Sequence, residues 1–236
     1  MAVIGSGVGH PLSNAVFLSK FLGPLHIDTN EKRIRTWLSK YNWKPIPSLQ
    51  PPYTPEMIRA CSEGLLLPRW IHGSNEELLE KFLLLRRDGV FEFGLGREAY
   101  SYYEDLTVFQ LILIVGRLWQ YLVFVNDICQ GFFPESPNET LYIINIRGTE
   151  NTLMGNLAEG WKQPIPPNSY NSYSPKCLEK HIQIRRRVSY KDIDSDVEMI
   201  VRWFALCIEN SWGQDEPRCY VHPNDDESQS FAQIKH

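Results

Sequence analysis

The chemistry-bearing residues that stand out first form one basic cluster, Arg185-Arg186-Arg187. Residues 181–190 alternate cleanly, with Ile182, Ile184, Val188 and Tyr190 on one side of an extended chain and His181, Gln183, Arg185 and Arg187 on the other. In a strand, Arg185 and Arg187 stand about 7 Å apart, so each guanidinium can meet its own phosphate along a nucleic-acid backbone. With His181 they are the candidate nucleic-acid contacts. The plainer expectation is a solvated sheet face whose arginines pair with neighbouring carboxylates, which the formal net charge of −4 favours.

A second cluster is acidic. Glu92, Glu98, Glu104 and Asp105 surround Tyr100, Tyr102 and Tyr103, and with His72 they could supply a loop-borne acid and base. A solvated loop is the simpler reading, and no catalytic residue is assigned. No two of the six histidines lie three or four residues apart, and the close pairs Cys177/His181 and Cys219/His222 form no finger pattern, so no metal is expected. Gly5-Ser6-Gly7-Val8-Gly9-His10 lacks the third glycine of a dinucleotide loop and runs into Pro11, so no cofactor is expected. Trp70, Trp161, Tyr170 and Tyr173 lie near connectors. They are candidate partner-surface residues, because aromatic side chains are enriched where proteins meet.

The elements that must position these residues follow from pattern. The chain has 236 residues, 43% hydrophobic and 22% charged. That is ordinary for a globular protein and excludes wholesale disorder, collagen and a disulfide mini-scaffold. Five cysteines without C-x-x-C spacing point to a reducing, cytoplasmic setting. The most apolar stretch is 108–125, but Arg117 interrupts it, and Gln110, Arg117, Gln120 and Asp127 share one polar edge at helical spacing. A nearly buried helix over 106–129 is therefore expected rather than a membrane span. Helices are also expected over 13–22, 31–41 and 54–64. Two more open on capping boxes, Ser74-Asn75-Glu76-Glu77 for 74–87 and Ser195-Asp196-Val197-Glu198 for 195–212. Strands are expected over 90–95, 141–147, 152–154 and 181–190. The implied fold class is α+β, a small mixed or antiparallel sheet covered by two long helices with a helical N-terminal segment. The expected organisation is a helical segment 1–43, a Pro-rich connector 44–55, an α+β domain 56–213 and a mobile polar tail 214–236.

From Tyr53 onward the order of features resembles a known arrangement. Tyr53-Thr54-Pro55-Glu56-Met57-Ile58-Arg59 leads to Pro68-Arg69-Trp70, then to a short strand at Gly89-Val90-Phe91-Glu92-Phe93. Asp105-Leu106-Thr107-Val108-Phe109 opens a long apolar helix, and a capped helix ends at Trp212-Gly213. Residues 53–213 resemble the accessory region that follows the AlbA-like (Schlafen-type) DNA-binding domain in some bacterial proteins. The resemblance implies a bacterial regulatory or defence assembly; it carries over no functional residues. The leading expectation is a non-enzymatic interaction or sensor subunit that works beside another protein subunit. Nucleic acid contacted within an assembly through the Arg185/Arg187 strand face, and an enzyme with a loop-borne carboxylate site, are the alternatives.

Overall fold

The computed structural model describes residues 15–21, 27–43, 58–72, 77–96, 99–103, 106–133, 139–154 and 176–213. In chain order the elements are β1 (Ala15–Phe21), α1 (Ile27–Leu38), β2 (Arg59–Cys61), β3 (Gly64–His72), β4 (Glu77–Arg86), β5 (Val90–Leu95), β6 (Tyr100–Tyr103), β7 (Leu106–Phe109), α2 (Leu111–Phe132), β8 (Glu139–Arg147), β9 (Leu153–Met154), β10 (His181–Ser189) and α3 (Tyr190–Asn210). Seven strands make one antiparallel sheet in the order β10-β8-β1-β5-β4-β3-β2. A smaller sheet, β6-β7-β9, ends in a parallel pair. The α+β class and the antiparallel sheet with long helices are as the sequence implied.

Strand register assigns each residue to a face. Phe17 lies opposite Phe93 and Ile144, and Ser19 opposite Phe91 and Tyr142. These side chains share one face with Leu83, Leu85, Ile182, Ile184 and Val188. That face meets the helices. The Tyr121 hydroxyl of α2 donates to the Phe91 carbonyl at 2.8 Å and stands 2.9 Å from the Ser19 hydroxyl. Phe17 and Tyr121 rings sit 6.0 Å apart. Helix α1 joins the same layer through Trp37, whose ring is 5.9 Å from Phe124 of α2. Buried side chains from β1 to α3 form one continuous apolar core, which is what a two-layer α+β domain needs.

The polar edge expected on the long helix is satisfied partly within the helix and partly by docking. Arg117 donates to Gln120 at 2.9 Å, and Asp127 accepts from the Tyr41 hydroxyl at 2.8 Å. Asn126 and Gln130 both donate to Asp194 of α3. Among the described residues no helix is long and apolar enough to cross a membrane.

Four expected helices need correction. Residues 15–21 are a strand in the middle of the sheet rather than part of a helix over 13–22. Ala15–Leu18 is an unbroken apolar run buried on both faces, and such a run carries no alternation to betray it. Glu77–Arg86, expected as a capped helix, is β4. Its Leu-rich sequence favours helix locally, but Phe82, Leu83, Leu84 and Leu85 are all buried between β3 and β5, and tertiary context outweighs propensity. Phe82 lies over Gly94 of β5, where a Cβ would come within 2.1 Å of the ring. Residues 59–61 form a short strand where a helix over 54–64 was expected. The long helix starts at Leu111, because Leu106–Phe109 is a strand of the smaller sheet. The return strand at 152–154 pairs in parallel with β7.

Helix α3 has two starts. The Ser189 hydroxyl caps the first turn by accepting from the Asp192 amide at 3.1 Å. Asp196 then breaks the helical backbone with φ −158° and ψ 64°, and its carboxylate accepts from the Met199 amide at 3.0 Å. Asp196, one residue beyond the expected Ser195, is thus the cap of the amphipathic part. At the far end Trp212 stacks on Phe109 at 4.9 Å and donates to the Thr152 carbonyl at 2.9 Å, which ties α3 to the smaller sheet.

Candidate functional site

The sheet face turned away from the helices carries the candidate site. Across it, register aligns Arg185, Ile143, Leu18, Glu92 and Leu84 in one row. The neighbouring row holds Arg187, Leu141, Lys20 and Val90. The two ends of this face differ. Around β4, β5 and the middle of β1 it is closed: Phe82, Leu84 and Glu92 are fully buried, with Val16 and Leu18 nearly so. Around β10 and β8 it is open. His181, Gln183, Arg185, Arg187 and Lys20 are exposed, with Leu141 and Ile143 half-buried between them.

Three strands build the open end. Lys20 stands in the same row as Arg187, across the intervening Leu141 of β8, so the two cations are about 10 Å apart at two strand spacings. Arg185 lies about 7 Å from Arg187 along β10. Arg185 is steadied by a cross-strand chain in which it donates to Gln183, and Gln183 donates to Asn145 of β8 at 2.7 Å. The sequence-based expectation that these arginines pair with acids is not met. Among the described residues neither Arg185 nor Arg187 forms an ion pair with a carboxylate. Arg147 adjoins His181 in register at the other end of β10. Among the described residues an acid stands on this part of the face at Glu139, beside Ser189 at the start of β8. Such an array holds a line of positive charge over a low, partly apolar floor. Among the described residues it offers no aromatic platform, so what it can do chemically is hold anionic groups at fixed spacing.

Arg186, the third arginine of the cluster, points the other way. Its guanidinium stacks 4.6 Å from the ring centre of Trp203 on α3, a cation–π contact that removes it from the basic face.

The acidic candidates are placed differently. Glu92 lies in the closed half, where Arg86 Nη1 donates to its Oε1 at 3.0 Å, and Arg86 also holds Asp88 at 2.6 Å. Burial pushes the Glu92 carboxyl above its ordinary value, with Glu63 and Asp88 adding to the shift and Arg86 opposing it. Glu92 Oε2 and Glu63 Oε2 are buried without a hydrogen-bond partner. Glu92 is therefore an inaccessible carboxyl held by Arg86. Tyr100 donates its hydroxyl to the Arg147 carbonyl at 2.7 Å. Glu98, Glu104 and Asp105 lie outside the described residues, and so do the side chains of His72, Tyr102 and Tyr103. Among the described residues no three His, Cys, Asp or Glu side chains converge as a metal site. Cys129 is buried, which pushes its thiol up to about 12; separately, Cys177 is a free buried thiol whose Sγ donates to the Glu179 carbonyl. Of the aromatic candidates, Trp70 lies on β3 at a register shift opposite Leu79. Its side chain, with Trp161, Tyr170 and Tyr173, lies outside the described residues.

Sequence reasoning missed Lys20. Its signal was hidden in the segment read as helix; once residues 15–21 are extended, alternation puts Lys20 on the face of Val16 and Leu18. In comparisons with known proteins, no family model matches the chain, and neither a curated protein nor a solved structure matches it.

Proposed function

We propose that the chain is a binding subunit, not a catalytic one, that grips a nucleic-acid backbone with the open end of its sheet. The observation that carries this reading is the cluster Arg185, Arg187 and Lys20, exposed on one sheet face with no carboxylate joined to either arginine. Three cations spaced about 7–12 Å apart suit successive phosphates better than a single small anion, for which they are too far apart to converge. The absence of exposed aromatics among these positions favours phosphate contacts without base stacking, and hence little sequence preference. His181 adds a donor at the upper end of the same strand. Seclusion of Glu92 beside Arg86 argues against the carboxylate-enzyme alternative. A subunit of this kind fits the bacterial regulatory or defence assembly that the resemblance implies, with another protein supplying any catalytic or sequence-reading part.

The test is binding of a fluorescent DNA duplex to the full chain by anisotropy. With three phosphate contacts, affinity should fall about 40-fold between about 50 and 200 mM salt, at ~0.9 log units per contact per decade. Arg185→Glu/Arg187→Glu should abolish binding while circular dichroism and thermal unfolding stay near those of the wild type. Wild-type binding that survives this double change, or no salt-dependent binding at all, overturns the proposal.

A further inference from the structure

The two edges of the large sheet differ in a way that identifies a second surface. One edge is β2, only three residues long. The other is β10, nine residues long, and among the described residues no strand pairs with its outer side. A long edge strand presents a row of backbone donors and acceptors to any extended chain that approaches it, and proteins ordinarily shorten or cover such an edge. Above β10 on the helix side, α3 exposes two large apolar side chains one turn apart, Met199 at 64% and Trp203 at 36%. Their position is fixed from two sides. Asp194 ties the first turns of α3, before the break at Asp196, to Asn126 and Gln130 of α2, and beyond the break the stacking of Arg186 on Trp203 turns one flank of the helix toward β10. Trp203 therefore stands beside the open edge, with the exposed Met199 one turn before it on the same helix.

We infer that the β10 edge, roofed by Met199 and Trp203, receives a strand from a partner protein in which acidic and apolar residues alternate. A strand added beside β10 has two sides. On one, its residues would stand about 4.8 Å from His181, Gln183, Arg185 and Arg187, which calls for carboxylates. On the other, they would lie under Met199 and Trp203, which calls for apolar side chains. Backbone pairing supplies the affinity and these alternate positions supply the selectivity. A second copy of the chain fits poorly, because two antiparallel β10 strands would set arginine against arginine, and like charges directly opposite are destabilising. Strand addition would neutralise the arginines of the basic face, so the partner strand and nucleic acid compete for the chain.

The probe is a fluorescent nine-residue peptide of alternating Glu and Val, matched to the length of β10, with a Lys/Val peptide of the same length as control. The full chain should bind the Glu/Val peptide at least tenfold more tightly than the control. Met199→Glu, at a position already exposed, should weaken that binding at least tenfold while leaving DNA binding unchanged, and Trp203→Ala should act in the same direction. Arg185→Glu/Arg187→Glu should reverse the preference toward the Lys/Val peptide. Equal binding of both peptides, no saturable binding of either, or indifference to Met199→Glu would overturn the inference. So would a dimer in sedimentation that Met199→Glu dissociates, since that would make a second copy the occupant. Failure of DNA binding with intact peptide selectivity would count against the proposed function alone.

Discussion

The face of the sheet that the helices leave uncovered is one surface with two characters. From β4 to β1 it is dry: Phe82 lies on Gly94, Leu84 is fully buried, and even the Glu92 carboxyl is shut in with Arg86. From β1 to β10 it is open, and its outward residues are Lys20, Arg185, Arg187 and His181. Both halves obey the same strand alternation, so periodicity alone does not distinguish them. What separates them is whether the residue that must leave water is apolar. Lys and Arg are rarely buried unpaired because the desolvation cost is large, and on this face Lys20, Arg185 and Arg187 mark where the sheet stays in contact with solvent. The dry half holds the fold together; the wet half stays open to solvent.

That contrast can be broken by experiment. The largest effect belongs to the dry half. Leu84→Ala removes a fully buried side chain and should cost about 2–5 kcal/mol in denaturant unfolding; a loss below about 1 kcal/mol would mean this half is not sealed. Gly94→Ala places a Cβ within 2.1 Å of the Phe82 ring. It should cost about 1–3 kcal/mol by overpacking, and trimming the ring with Phe82→Leu in the same chain should recover part of that.

A pH profile sharpens the comparison further. Burial holds the Glu92 carboxyl above its ordinary 4.5, so the folded protein keeps that proton to higher pH than the unfolded chain does. The resulting stabilisation is full below about 4.5 and is lost as pH rises through the raised value. Glu92→Gln carries no such loss, so its stability relative to the wild type should rise with pH across that window. A variant that loses ground instead would show the Arg86 pair outweighing burial. Smallest of all, Arg185→Ala in the wet half should change stability by no more than about 0.5 kcal/mol. A larger cost would mean that its bond to Gln183 is structural.

Much of the architecture was legible from particular residues. Alternation over 181–190 placed β10 and assigned Arg185, Arg187 and His181 to one face, and the polar edge at Gln110, Arg117, Gln120 and Asp127 marked a helix packed inside the protein. The misses share a physical cause. Ala15–Leu18 and Phe82–Leu85 are buried on both faces of a sheet, which erases period-two patterning, and the Leu-rich composition of β4 with its upstream capping box imitates a helix start. Losing β1 as a strand concealed Lys20, and with it the fact that the basic face spans three strands. The exposure of Met199 and Trp203 depends on which flank of α3 faces α2, which no local pattern encodes. Conversely Arg186, indistinguishable from its neighbours by type, leaves the site simply because period two turns it toward Trp203.

The central claim is that folding, not sequence proximity, assembles Lys20 with Arg185 and Arg187 into one phosphate-binding face. The slope of log affinity for a DNA duplex against log salt concentration measures this directly, because each phosphate contact contributes about 0.9 to it. In Lys20→Gln the slope should fall by about 0.9, in Arg185→Gln/Arg187→Gln by about 1.8, and in the triple variant by about 2.7. A slope that drops with the arginines but is untouched by Lys20→Gln would contradict the account and reduce the basic face to the single strand on which the arginines lie.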